Sequence, residues 1–471
     1  MTRPNIILIL IDDLGWRDLV CTGSTFYETP NLDRLAGEGV RFTDAYAACP
    51  VCSPTRASIM TGKYPARLGL TDWIAWGGGH PCRGRLIDAP YIDHLALEEV
   101  SLARALKEGG YRTWHVGKWH LGNREFYPER HGFDVNIAGS QWGMPVHGYF
   151  SPWQMPGLTD GPEGEYLTDR LTDEAIRLIE SPRDRPFFLN LCHYAVHTPL
   201  QSPPALMARY EEKARALGLD KIPAIELDEW HPADHLKHCR VARRLFQSDP
   251  KYAAMVHNLD WNIGRLLQAV EQAGQADNTI VIFTSDNGGV ATADSTPTCN
   301  RPLAEGKGWM YEGGTRAPLL VRWPGVTAPG SVCSVPTTST DLYPTLLDAA
   351  GLPPRPRQHI DGVSLAPLLK GGASLDRDAL FWHYPHYGNL GGTPGSSIRA
   401  GDYKLIEFFE DGRLELYNLR EDISEEHNLA AARPDLARDL HKRLVDWRES
   451  VEAAIPEVNP EWKDDRPGGH D

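Results

Sequence analysis

No stretch of the 471-residue chain is apolar for long enough to cross a bilayer as a helix. The longest uninterrupted apolar run, Ile6 to Ile11, is only as long as a strand. A signal peptide is missing too: Asp12 and Asp13 end that run and no small-residue cleavage site follows. As written the chain reads as cytoplasmic, although a periplasmic or secreted protein whose leader had been removed would look the same. Positive charge is in deficit, with 48 Lys and Arg against 63 Asp and Glu and a net charge of −15. That excludes nucleic acid as the expected partner, because phosphate backbones need a basic surface. An anionic small substrate remains compatible, since a metal or a local cationic pocket can reverse the field at one site. Cysteines are few and scattered (Cys21, Cys49, Cys52, Cys82, Cys192, Cys239, Cys299 and Cys333), which predicts free thiols rather than a disulfide framework. There is no low-complexity tract and no internal repeat.

What is present is an alternation. Asn5–Asp12, Thr113–Val116, Pro186–Cys192, Thr279–Thr284 and Pro318–Arg322 are short β-rich apolar runs of the kind buried on both faces of a sheet. Between them lie helical patterns at Asn31–Glu38, Leu102–Glu108, Leu167–Ile179, Tyr252–Ala273 and Ser339–Ala350. This predicts an α/β fold: a large, doubly wound, mostly parallel sheet flanked by helices, occupying residues 1–375. Residues 200–250 read as a polar, helix-prone insertion. From residue 376 the texture becomes short strands with Gly401-Asp402 and Asp411-Gly412 turns, followed by a helix at Pro434–Val451. Residues 376–471 are therefore expected to form a smaller C-terminal α/β subdomain with a short antiparallel sheet.

Ligands of open α/β sheets bind beyond the carboxyl ends of the strands. Two predicted strands end in hard oxygen donors, Asp12-Asp13 and Asp286-Asn287, and such donors suit Ca²⁺ or Mg²⁺ better than zinc. Asp and Asn are also common loop-starters, so neither pair decides the matter alone. The run Cys49-Pro50-Val51-Cys52-Ser53-Pro54-Thr55-Arg56 holds a Cys-x-x-Cys, but no second such pair completes a zinc site and no short βαβ unit surrounds it.

A series of short motifs runs along the chain: Pro4-Asn5-Ile6 with Asp12-Asp13, Thr29–Asp33, Cys52–Ser58, Thr61–Tyr64, Gly117–Gly122, His131–Asp134, Thr284–Gly288, Lys307 with Glu312–Arg316, and Glu415–Leu419. Together they resemble the formylglycine-dependent (type I) sulfatases of the alkaline phosphatase-like superfamily. The matches follow the family's order over nearly the whole chain. The resemblance implies that a maturation enzyme oxidises Cys52 to formylglycine, whose hydrated diol attacks the sulfur of a sulfate ester and later collapses to release sulfate. It also implies one Ca²⁺, with Mg²⁺ the weaker candidate, held by Asp12, Asp13, Asp286, Asn287 and the modified Cys52. Arg56 would hold the diol, Lys118 and His120 would contact the sulfate and the nucleophile, His197 would stand near the leaving oxygen, and Lys307 would bind sulfate.

The rival readings are a formylglycine-dependent phosphonate monoester or phosphodiester hydrolase and an inactive carbohydrate-binding homologue. Trp73, Trp76, His80, Arg83 and Arg85 form an aromatic and basic stretch suited to a sugar ring with anionic groups, pointing to a sulfated saccharide as substrate. The same stretch could equally be a packed loop. His231, His235, His238 and Cys239 have zinc-like spacing and could share a helical face, or could be a solvated or interdomain surface.

Overall fold

A computed structural model describes residues 3–75, 82–293 and 295–463. Strands used below are β1 (Asn5–Ile11), β2 (Val40–Phe42), β3 (Arg112–Gly117), β4 (Val135–Ile137), β5 (Phe187–His193), β6 (Ile225–Trp230), β7 (Arg240–Arg244), β8 (Thr279–Ser285), β9 (Leu319–Arg322) and β10 (Ser331–Cys333). β11 (Leu380–Tyr384), β12 (Gly395–Ala400), β13 (Tyr403–Phe408) and β14 (Leu414–Asn418) follow. The principal helices are α1 (Cys52–Thr61), α2 (Leu167–Glu180), α3 (Pro250–Gln272) and α4 (Pro434–Ser450).

An eight-stranded sheet with the order β10-β2-β9-β8-β1-β5-β3-β4 forms the body. β1 lies at its centre, parallel to both β8 and β5. Its continuous apolar sequence follows from that position, because successive side chains point to opposite faces and both faces are covered. Ile7, Ile9 and Ile11 pack with residues of α2 and α3. Ile6, Leu8 and Leu10 pack on the other side with residues of α1 and of the helix Leu342–Ala349. β9 runs antiparallel to both β8 and β2, so the sheet is mixed at that side while its centre is parallel.

The C-terminal sheet, β11 to β14, is antiparallel throughout. Ile398, Leu405 and Leu416 on one face pack against Ala437, Leu440 and Leu444 of α4. Trp382, Tyr384, Ile406 and Phe408 on the other face pack against Tyr46, Cys49, Val51 and Met310. This sheet thus presses on the residue just before α1. Lys404 of β13 is buried between Glu312 Oε1 and Glu425 Oε1, 3.0 Å from each.

The insertion differs from the expected helical segment. Pro204–Ala216 is a helix, but Ile225–Trp230 and Arg240–Arg244 pair as an antiparallel ribbon. Pro223 and Pro232 interrupt helical hydrogen bonding here, and the alternation Ile225, Leu227 has a strand's period. All eight cysteines are free. Among the described residues no helix is long and apolar enough to cross a membrane.

Candidate active site

β1 and β8 are paired with Ile11 opposite Ser285, so Asp12-Asp13 and Asp286-Asn287 emerge side by side. All four are buried. Asp13 has φ +63°, a left-handed turn that breaks the strand's alternation and lets two consecutive carboxylates share one site. Asn287 Nδ2 donates to Asp13 Oδ1 at 2.8 Å, and the Asp13 N–H donates to Asp286 Oδ1 at 3.3 Å. Asp12 Oδ1 and Asn287 Oδ1 are buried with no hydrogen-bond partner.

Cys52 is the first residue of α1 and is 3 % exposed. Arg56 lies one helical turn on, directed beneath the cavity floor. Its Nε and Nη2 both reach Asp286 Oδ2, at 2.9 and 2.7 Å, and Nη1 donates to the Lys118 carbonyl at 3.0 Å.

The third contribution comes from the end of β3. Gly117 has φ +99°, and a Cβ there would meet the Cys192 carbonyl oxygen at 1.9 Å, so only glycine fits. Lys118 Nζ then reaches Asp12 Oδ2 at 2.8 Å. His120, itself at φ +57°, is held by its N–H to the Ser140 carbonyl at 3.0 Å. Its Nε2 is 2.7 Å from the Ile74 carbonyl oxygen, which requires a proton on Nε2 and leaves the Nδ1 lone pair facing Cys52 Sγ at 3.4 Å. Burial, reinforced by Lys118, pushes the His120 pKa well below its ordinary value.

His197 follows β5 and is fixed by the Val196 N–H to the Asp12 carbonyl at 2.8 Å. Its Nδ1 donates to the Thr198 carbonyl at 2.8 Å and its Nε2 stands 3.6 Å from Asp13 Oδ2. Burial pushes its pKa down to about 3 against the pull of Asp13, with Lys307 and Lys118 adding to the depression. Lys307 Nζ is 2.6 Å from Asp13 Oδ1. Burial alone would raise the Asp13 carboxyl, but Lys307 and His197 hold it below the carboxylate range. At Lys307 burial acts to lower the pKa, but Asp13 together with Cys52 and Asp12 raises it above the ordinary value and keeps the ammonium charged. At Asp12 burial wins over Lys118, and its pKa lies well above the usual value.

Cys52, Asp13, His120, His197 and Lys307 face a cavity of about 270 Å³. Its walls are mostly apolar (Trp73, Ile74, Val290, Leu390), with polar groups from Gln141, Thr198 and Asn389. Asp12, Arg56, Lys118, Asp286 and Asn287 support this floor through the contacts above. Gln141, Tyr384 and Asn389 belong to no motif recognisable in the sequence, whereas Thr198 adjoins His197. Of the aromatic and basic stretch, Trp73 lines the cavity, Arg83 lies 3.5 Å from Glu461, and Trp76 and His80 fall outside the described residues.

Asp12, Asp13 and His197 each offer an atom within 4.8 Å of the others. The His231–Cys239 group forms no such cluster and no helical face: it occupies the link between β6 and β7, with one short turn at Asp234–Leu236. His238 and Cys239 are exposed, while His231 and His235 both contact Asn389.

Two family models match the chain, one described as sulfatase over residues 4–352 and one described as N-sulphoglucosamine sulphohydrolase, C-terminal, over residues 305–450. Human arylsulfatase A is 33% identical, over 96% of this chain and 89% of its own length. The crystal structure of Ps i-CgsB in complex with k-i-k-neocarrahexaose is similar with a TM-score of 0.76 and 29% identity, covering 98% of this chain and 95% of that one. BT4656, solved with its substrate D-glucosamine-2-N,6-O-disulfate, is similar with a TM-score of 0.73 and 25% identity, covering 96% and 98%.

Proposed function

This chain belongs to the sulfatase family of the alkaline phosphatase-like superfamily, and from that premise we propose that it hydrolyses sulfate esters of carbohydrates with a formylglycine made from Cys52 beside a bound Ca²⁺. The observation that carries this reading is the convergence on one cavity floor. The helix N-terminus bearing Cys52 meets two strand-end carboxylate and amide pairs, two lysines and two histidines there.

The donor set fits a hard cation. Asp12, Asp13, Asp286 and Asn287 offer oxygens, two of which are buried without a hydrogen-bond partner, and the oxygen of a modified Cys52 would complete the set. When bound, the ion supplies positive charge that stabilises a deprotonated nucleophile and the sulfate oxygens.

The remaining steps belong to the chain's own groups. Cys52 Sγ marks the position of the diol oxygen, and the His120 Nδ1 lone pair 3.4 Å away orients it and accepts its proton. One diol oxygen forms a bond to the sulfate sulfur while the bond from sulfur to the substrate alcohol breaks. Lys307, kept charged by Asp13, donates to the departing alcohol oxygen beside His197. Lys118, Lys307 and the α1 N-terminus surround the sulfate with fixed positive charge. The second diol hydroxyl then gives its proton to the Lys307 amine left neutral by the first step, and the carbonyl re-forms as the bond from its carbon to the sulfate oxygen breaks. Sulfate departs, His120 releases its proton to water, and water rehydrates the aldehyde. A serine in place of formylglycine would stop at a stable sulfate ester.

The carbohydrate assignment rests on the cavity walls, where Trp73 offers an aromatic face and Gln141, Thr198 and Asn389 offer polar groups, and on the sugar sulfate bound by the similar BT4656. Turnover of matched sulfate monoesters and phosphodiesters by matured enzyme tests the reaction. Faster sulfate hydrolysis is expected; faster phosphodiester hydrolysis would transfer the chain to the phosphonate and phosphodiester branch.

A further inference from the structure

The histidine pair in the β6–β7 link finds its partner at the mouth of the cavity. His231 Nε2 lies 3.1 Å from the Asn389 carbonyl oxygen, and His235 Nε2 lies 3.2 Å from Asn389 Oδ1. A carbonyl oxygen only accepts, so His231 must carry its proton on Nε2. Its Nδ1 is buried without a partner, and burial holds the ring neutral, as that tautomer requires. With His235 also donating, one histidine fixes the backbone of Asn389 and the other orients its side chain.

The rest of the loop is equally fixed. The Leu390 carbonyl accepts from Trp309 Nε1 and from Thr292 Oγ1, each at 2.8 Å. The ribbon is itself stitched to the segment after Val290, with the Arg244 N–H on the Ala291 carbonyl at 3.0 Å and the Ala293 N–H on the Ala242 carbonyl at 2.7 Å. Asn389 lines the cavity yet is exposed, and its Oδ1 is engaged while its Nδ2 has no protein acceptor among the described residues. An amide held at two points, with its donor group left open beside the apolar walls, is preorganised to meet an acceptor on a ligand.

We propose that Asn389 is a specificity-determining residue, its Nδ2 donating to a hydroxyl or ring oxygen of the saccharide that bears the sulfate, and that His231 and His235 are positioning residues for it. This rests on the reading of the chain as a carbohydrate sulfatase. It gives the insertion ribbon a function in substrate choice: the ribbon braces a wall donated by the C-terminal part of the chain.

The test compares kcat/KM on 4-nitrophenyl sulfate with that on the best of galactose 6-sulfate, N-acetylgalactosamine 6-sulfate and glucosamine 6-sulfate, using matured full-length enzyme. Asn389→Ala is expected to lower the saccharide-to-aryl ratio of kcat/KM by about fivefold, the value of one lost neutral hydrogen bond, chiefly through KM. His231→Leu should lower the ratio in the same direction, and His231→Gln, which keeps a donor, should restore most of it. An unchanged ratio in Asn389→Ala overturns the role, as does an equal loss on both substrates. Wild-type enzyme that cleaves the aryl ester but none of the saccharides overturns the substrate class and this role together. Wild-type enzyme inactive on every sulfate ester instead overturns the sulfatase reaction itself.

Discussion

Arg56 places two nitrogens on a single oxygen of Asp286: Nε at 2.9 Å and Nη2 at 2.7 Å from Oδ2, with Oδ1 left to the Asp13 N–H. The guanidinium therefore neutralises a buried carboxylate without covering the oxygen that faces the other strand end. Arg56→Ala strands Asp286 in the interior and should cost about 3–5 kcal/mol of stability, with Arg56→Lys recovering part of it. Urea unfolding measures this, and a variant as stable as wild type would show that Asp286 does not depend on Arg56.

Calcium should stabilise the fold through Asp12, Asp13, Asp286 and Asn287. At a free concentration about 100 times its Kd, the expected gain is about 2.7 kcal/mol over enzyme stripped with a chelator. Mg²⁺ should give a smaller shift, and Asp286→Asn should weaken both. Thermal melts that ignore both cations would contradict a metal at this site.

Lys307 is expected to matter according to the leaving group. A sugar alkoxide is a poor leaving group and needs a proton, whereas 4-nitrophenolate does not. Lys307→Ala should therefore reduce kcat on a sugar sulfate by about 10²–10⁴, the range of general acid catalysis, and reduce it much less on the aryl ester. Equal losses would restrict Lys307 to sulfate binding.

Asp72 sits behind the cavity wall, accepting from the Trp73 N–H at 2.8 Å and from the Tyr384 hydroxyl at 3.0 Å. Burial raises its pKa to about 7, with His386 opposing the rise. A raised folded-state pKa means that the native state binds the proton more tightly than the unfolded chain. The stability from this proton is therefore fully present below the unfolded value near 3.8 and is lost as pH rises through about 7. Asp72→Asn removes the titration, so its melting temperature should gain on wild type between about pH 4 and 7. Parallel curves would contradict a buried, proton-holding Asp72.

The centre of the fold was legible because β1, β5 and β8 are covered on both faces, which leaves continuous apolar runs that end where the site begins. The acidic and amide pairs were legible as donors for the same reason. Strand direction was not, since Leu319–Arg322 is equally apolar whether it runs with its neighbours or against them. The helical expectation for residues 200–250 failed over Ile225–Arg244, where a two-residue period and two prolines outweigh helix propensity. Tyr384 reaches the cavity because the C-terminal sheet packs against Val51, and Asn389 because its loop is held by His231, Thr292 and Trp309; no local pattern records these long-range contacts.

The most direct test of the account is the mass of the Cys52 peptide from enzyme that is actively turning over a sulfate ester. Conversion of the thiol side chain to an aldehyde predicts a peptide about 18 Da lighter than the encoded sequence, with Cys52→Ala both unshifted and inactive. An active enzyme whose Cys52 peptide carries only the unmodified thiol would contradict the formylglycine mechanism outright.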